Sequence, residues 1–216
     1  MSKMKITLII VLFSLSASAQ KENQHKVDPA AIRLNNMAME LNIQNSDSAS
    51  KAIIFLDSAT AIDSNYYLGY YNKLIFLNQL RQYNKAIIAI NNLIRLQPNA
   101  NVFYFNGGII YEKIGDTISS RDYFQKSLEI CIKVLDTMKV ENRNYEMLIT
   151  NKAVDLIMLG EKEKGNLLLI KVYENQIDKS LKAMALSFMN KSKSEIVEMI
   201  TNPPTESGES TPVEVK

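Results

Sequence analysis

Similar side chains recur along this chain at intervals of 34 residues. Two sets of mostly small residues follow that interval: Ala52, Ala86 and Ser120, and Ala59, Leu93 and Ser127. A period of this length is typical of stacked helical hairpins, because a single hairpin cannot bury its apolar face and packs against its neighbours. The period therefore predicts an all-α fold, an α-solenoid, in which function depends on an extended surface.

The composition agrees with a helical body followed by an unstructured end. Glycine and proline, which interrupt helices, are scarce at 7 and 5 of 216 residues. Three of the five prolines lie in the last fourteen residues, at positions 203, 204 and 212, among Thr, Ser, Glu and Gly. A segment of this kind cannot bury enough apolar surface to fold. We therefore predict a disordered tail over residues 202–216.

The first 19 residues have the order of a secretory signal peptide. Lys3 and Lys5 precede an apolar run over residues 6–15, which is shorter than the roughly 20 residues of a membrane-spanning helix. Ala17 and Ala19 fit a cleavage site before Gln20. We expect a signal peptide over residues 1–19, a polar leader over residues 20–27 and an exported protein, periplasmic or secreted, without a membrane span. The alternative is a buried N-terminal helix.

The charges of the expected mature chain balance. Without Lys3 and Lys5 there are 23 basic and 23 acidic residues, and the two signs alternate along the sequence. Binding to a phosphate backbone normally requires a clustered basic excess. The sequence therefore predicts no nucleic-acid partner.

The 34-residue interval places other residues in a common frame. With Ala52, Ala86 and Ser120 at position 20, the registers begin at residues 33, 67 and 101, and position 24 carries large apolar side chains. Small residues beside large ones are what closely crossing helices require. After the third repeat the interval breaks: residues 120–139 predict a lengthened helix, and Gly160 and Gly165 mark a fourth hairpin. We expect repeats near residues 33–66, 67–100, 101–139 and 146–177, then capping helices over residues 178–201 with a polar outer face.

Two copies match a known repeat at several positions. The matching residues are Tyr70, Leu77, Tyr83, Ala86, Ile90 and Pro98 in one copy, and Tyr104, Gly108, Tyr111, Gly115, Tyr123 and Phe124 in the next. This pattern resembles the tetratricopeptide repeat (TPR). The first copy departs from it, with Glu40 where a small residue is preferred and a polar junction over residues 42–50. The alternative is an irregular helical bundle whose periodicity is a coincidence.

The sequence offers few groups for catalysis or metal binding. The single histidine, His25, lies in the leader, and the single cysteine, Cys131, lies on a predicted helix and is expected to be a small buried side chain. Histidine-dependent nucleophilic sites and histidine-based zinc sites are therefore excluded from the body. Two acidic pairs could serve acid–base chemistry but are expected to be solvated: Asp57 with Asp63, and Glu161 with Glu163. We predict no enzymatic activity, no cofactor and no metal.

The resemblance to the tetratricopeptide repeat implies which residues face a ligand. In that family the first helix of each hairpin lines the concave surface. The corresponding candidate binding residues are Tyr71, Asn72, Ile75, Asn78, Gln79, Phe105, Asn106, Ile109, Glu112, Lys113 and Asn151. These side chains form a mixed apolar and amide surface.

Three of these candidates, Asn72, Asn106 and Asn151, share position 6. A side-chain amide offers a donor and an acceptor, so a row of amides can pair with the backbone of an extended peptide. The row is similar to the asparagine ladder of the O-GlcNAc transferases. The alternative is chance, since asparagine is abundant in this chain.

Two hypotheses of function follow. The first is a protein–protein interaction scaffold in the cell envelope that binds an extended peptide or partner protein on the concave surface. The second is a structural assembly protein that self-associates or docks through its methionine-rich C-terminal helices. The sequence leaves the partner and the oligomeric state open.

Overall fold

A computed structural model describes residues 25–41, 46–140, 142, 144–175 and 178–202. The predicted signal peptide, most of the leader and residues 203–216 of the predicted tail lie outside the described residues. The described residues form ten helices and no strand. The helices are α1 (Pro29–Met39), α2 (Ser46–Ile62), α3 (Tyr67–Gln79), α4 (Tyr83–Leu96), α5 (Asn101–Ile114), α6 (Thr117–Leu135), α7 (Tyr145–Met158), α8 (Lys162–Asn175), α9 (Lys179–Phe188) and α10 (Lys193–Thr201).

The first eight helices form four hairpins, and each helix packs against the next one along the chain. Helix α9 continues the array by packing on α8 and α7. The all-α solenoid of about four hairpins is therefore confirmed. The predicted lengthening of the second helix in the third hairpin is also present, since α6 spans 19 residues whereas α4 spans 14.

Local sequence explains most helix ends. Asp28 accepts a hydrogen bond from the backbone N–H of Ala30, and Pro29 opens α1, so this helix begins four residues before the predicted repeat. Gly115 ends α5 with a φ of +82°, and Gly160 follows α7 with a φ of +93°. Only glycine adopts this left-handed conformation without steric cost.

The polar junction predicted over residues 42–50 is wrong in length, because α2 already begins at Ser46. Ala49 and Ala52 are fully buried one turn apart on this helix. Their packing holds the neighbouring polar residues of the junction in helical structure, and tertiary contacts thus override weak local propensity.

The two sets of residues that define the 34-residue interval lie where helices meet. All six are completely buried: Ala52, Ala59, Ala86, Leu93, Ser120 and Ser127. Gly165 takes the same role in the fourth hairpin, since a Cβ there would lie 2.5 Å from the carbonyl oxygen of Ala153. The close approach of α7 and α8 therefore requires glycine at this position.

The N-terminal segment is held to the end of α2 by Asp63. His25 Nε2 lies 2.8 Å from both carboxylate oxygens of Asp63, and the N–H of Asp28 donates to Oδ2 at 3.0 Å. Burial alone would raise the pKa of Asp63, but the hydrogen bonds from Asp28, His25 and Asn65 outweigh it and hold that pKa below its usual value. The end of the predicted leader is therefore part of the folded body.

Candidate functional site

Helix α10 leaves the helical array and packs against α5. The sequence pattern predicts that the last two helices together cap the end of the array, but only α9 does so. The physical reason is the apolar face of α10, on which Ile196 is completely buried and Ile200 nearly so. Ser192 and Glu195 form a capping box at the start of α10, which begins at Lys193.

Two candidate binding residues on α5 form ion pairs with α10. Lys193 Nζ lies 2.7 Å from Oε1 of Glu112, and Lys113 Nζ lies 3.2 Å from Oε2 of Glu198. Beyond the end of α10, Arg81 donates a hydrogen bond to the side-chain oxygen of Asn202 at 3.2 Å. Residues predicted to contact a ligand thus contact the C-terminal helix.

Three further candidates meet beneath α10. Asn78, Asn106 and Ile109 line a cavity of about 50 Å³, which Ile200 and Thr201 close from the other side. The side-chain oxygen Oδ1 of Asn78 is buried and accepts no hydrogen bond. We call the surface formed by Asn78, Asn106, Ile109, Glu112 and Lys113 the α3–α5 face.

The other candidates border this face, as Ile75 does one helical turn before Asn78 on α3, or are engaged elsewhere. Tyr71 is half-buried and stacks on Tyr67 with ring centroids 6.0 Å apart, and burial raises the pKa of its hydroxyl. Phe105 is 1 % exposed and packs edge-on against Phe124 at 5.5 Å. Ile75 and Gln79 are half-buried on α3. Phe105 is thus a core residue rather than an exposed contact.

The structure does not arrange the three position-6 asparagines as one accessible row. The Asn72 amide donates to Oδ1 of Asn35 on α1 at 2.7 Å. Asn151 is completely buried, and neither polar atom of its side chain has a hydrogen-bond partner. Only Asn106 lines the cavity under α10. An extended ligand would therefore meet one of the three amides.

Sequence reasoning missed the residues that α10 and the α3–α4 turn contribute to this face, namely Arg81, Lys193, Glu198, Ile200 and Thr201. One available signal was the group of apolar residues Ile196, Val197, Met199 and Ile200 in a short helix. Such a helix needs an apolar partner. Nothing in the sequence indicates that α5 is that partner.

Three of the four acidic residues considered for acid–base chemistry form ion pairs or hydrogen bonds within the chain, and Asp63 is buried rather than solvated as expected. Asp57 pairs with Lys73, Asp63 binds the N-terminal segment, and Glu161 pairs with Lys164 at 2.5 Å. Cys131 is completely buried, as expected, and burial raises the pKa of its thiol well above the usual value. Across the described residues, no three acidic, histidine or cysteine side chains are grouped so as to hold a metal ion. Nor does any described helix combine the length and apolar character needed to cross a bilayer.

No family model matches this chain, and no curated protein matches it. Among solved structures it is similar to PilW, a widely conserved type IV pilus biogenesis factor, with a TM-score of 0.50 and 14% identity over 81% of this chain and 71% of that one. A MamA RS-1 ArsTM double mutant gives a TM-score of 0.47 at 14% identity, over 67% of this chain and 74% of the other. YrrB, a TPR protein with an unusual peptide-binding site, gives a TM-score of 0.39 at 16% identity, over 73% of this chain and 92% of the other.

The likeness to PilW concerns the fold. Together with the hairpins and their buried small residues, it defines the chain as a TPR-like α-solenoid. To this array the chain adds one helix, α10, which lies on the surface that the repeat pattern predicts for ligands.

Proposed function

We propose that this protein is a non-enzymatic scaffold of the cell envelope that binds a segment of a partner protein on the α3–α5 face. The observation that carries the proposal is that this face already holds a peptide segment, α10, through apolar and ionic contacts. A surface that binds one amphipathic segment has the chemistry to bind another. The periplasmic or secreted location rests on the signal-like order of residues 1–19.

The chemistry of the face favours a protein partner over other ligands. It combines one acidic and one basic side chain, Glu112 and Lys113, with two amides, Asn78 and Asn106, and an apolar floor at Ile109. Such a mixture matches the polar and apolar groups of a peptide. It lacks the clustered positive charge that a nucleic acid would require.

Site-specific crosslinking tests the location of the binding face. A photo-reactive amino acid at Ile75, half-buried on α3, is expected to capture a discrete partner in cells of the native host, and the same group at Ile88, exposed on α4, is expected to capture none. Gel mobility and mass spectrometry of the adducts give the result. Adducts formed at Ile88 and not at Ile75 would contradict the proposal.

A specific observation favours the alternative function, self-association through the C-terminal helices. Leu167 on α8 and Leu186 on α9 are both more than half exposed near the end of the array. By contrast, Met184, Met189 and Met199 pack against the core of their own chain. A concentration-independent monomer in light scattering would remove this alternative.

A further inference from the structure

The contacts of α10 define a pattern of side chains that the α3–α5 face accepts. Ile196 and Ile200 are four residues apart, which places them on the same side of the helix, and both are buried. Glu195 and Ser194 remain exposed. The face therefore receives one apolar edge of a helix and leaves the opposite edge in solvent.

The two ion pairs set the direction and register of that helix. Lys193, three residues before the first buried isoleucine, pairs with Glu112, and Glu198, two residues after it, pairs with Lys113. Reversing the helix would bring like charges together. Partly exposed pairs of this kind add little affinity but discriminate among orientations and partners.

The fit between α10 and the face is incomplete. A cavity of about 50 Å³ remains between Asn78, Asn106 and Ile109 on one side and Ile200 and Thr201 on the other. Oδ1 of Asn78 is buried without a donor. A helix whose side chains fill this cavity would gain the packing contacts that α10 leaves unmade and would be held more tightly.

The helix itself depends on this contact. It has nine residues, and a helix of that length is marginal in water unless it packs against a neighbour. Only the segment 189–192 connects it to α9, and Asn190 there has a φ of +63°. Release of α10 therefore requires the loss of one small set of contacts and leaves the hairpin stack unchanged.

We propose that the α3–α5 face is a receptor for an amphipathic helix of a partner protein, and that α10 covers the face until that helix replaces it. The partner helix carries isoleucine-sized residues four apart, a basic residue three before the first and an acidic residue two after it. This inference rests on the proposed function and replaces its extended peptide with a helix, because Asn72 and Asn151 are not available to form a ladder.

A labelled peptide with the sequence of residues 191–202 tests the exchange. Its affinity for the full chain and for the double variant Ile196→Asp, Ile200→Asp is measured by fluorescence anisotropy. The variant is expected to bind the peptide at least tenfold more tightly than the wild type, since α10 no longer competes for the face. Circular dichroism and thermal unfolding verify that the variant keeps the hairpin stack.

Charge reversal tests the register without disturbing the core. When Lys113→Glu is added to the variant Ile196→Asp, Ile200→Asp, the affinity for the peptide is expected to fall at least threefold. A peptide carrying Glu198→Lys is expected to restore that affinity. Lys133→Glu, a change of the same kind on the exposed side of α6, serves as the matched control and is expected to leave binding unchanged.

Equal affinity of the peptide for wild type and variant would overturn the proposal, as would a loss at Lys113 that the reversed peptide does not restore. A wild-type dimer that dissociates on Ile196→Asp, Ile200→Asp would also overturn it, because the occupant of the face would then be a second copy. These outcomes are separate from the crosslinking at Ile75. A partner captured at Ile75 without peptide exchange would leave the scaffold proposal intact and would contradict the proposal that a partner helix replaces α10.

Discussion

Phe124→Ala is expected to lower the free energy of unfolding by about 4 kcal/mol, as large-to-small changes of buried phenylalanine do. For a domain of this size that corresponds to a fall in Tm of roughly 8–16 °C. Phe124 is completely buried on α6 and packs edge-on against Phe105 of α5, with ring centroids 5.5 Å apart. Chemical and thermal unfolding followed by circular dichroism measure the change.

The same ring decides the effect of a second substitution. A Cβ added at Gly108 would lie 2.7 to 2.9 Å from three carbons of the Phe124 ring. Gly108→Ala is therefore expected to destabilise the wild type by about 1–3 kcal/mol through overpacking. In the Phe124→Ala background the ring is gone, and the same change is expected to stabilise by up to about 1 kcal/mol, because alanine favours a helix more than glycine does.

Gly107→Ala is the matched control for this pair. A Cβ at Gly107 would clash with the ring of Tyr123 instead, so its cost should persist in the Phe124→Ala background. The wild type, the single variants Phe124→Ala and Gly108→Ala, and their double variant form a cycle that isolates the contact. If Gly108→Ala has the same effect with and without Phe124, the ring is not what requires glycine at this position.

Asp155→Asn is expected to increase stability at neutral and alkaline pH and to have little effect near pH 4. Asp155 is completely buried on α7. Its Oδ2 accepts a hydrogen bond from Ser127 at 2.8 Å, while Oδ1 has no partner. Burial raises the pKa of this carboxyl well above its usual value, and the hydrogen bonds from Ser127 and Cys131 offset only part of that effect.

The direction of the pH dependence follows from that raised pKa. The folded state retains the Asp155 proton at pH values where the unfolded chain has lost it. The contribution of Asp155 to the free energy of unfolding is therefore fully present below the pKa of the unfolded chain, about 4. It is lost as the pH rises through the pKa of the folded state. Because one proton is involved, the free energy of unfolding changes by at most about 1.4 kcal/mol per pH unit.

Urea unfolding from pH 4.5 to 8.5 measures the effect as the difference between variant and wild type. That difference isolates Asp155 from other titrating groups, such as Asp63, whose lowered pKa makes its contribution fall on acidification instead. Asp122→Asn, at an exposed position on α6, is the matched control and should reproduce the wild-type profile. Parallel profiles for Asp155→Asn and the wild type would contradict the account of a buried, protonated carboxyl.

The repeat interval predicted the parts of the fold that depend on neighbours along the chain. Ala86 and Ser120 are buried between helices as expected, and α7 and α8 span residues close to those of the predicted fourth hairpin. These contacts join segments close in sequence, so their pattern repeats and can be counted.

The α3–α5 face was predicted only in part, because its composition depends on a contact between distant segments. Glu112 and Lys113 lie on the face, but their partners Lys193 and Glu198 come from a helix about 80 residues further along the chain. Asn151 shares the register of Asn106 but is completely buried. The repeat register determines on which side of its own helix a side chain lies. Its exposure depends on which other elements pack against that side.

Hydrogen–deuterium exchange of the full chain tests the central claim most directly. The chain is measured alone and with a saturating excess of an isotopically heavy peptide of residues 191–202. Amides of the chain's own α10 should exchange faster with the peptide present, while those of residues 106–113 on α5 stay protected. Unchanged exchange of α10 under saturating peptide would contradict the claim that α10 is a replaceable occupant of the α3–α5 face.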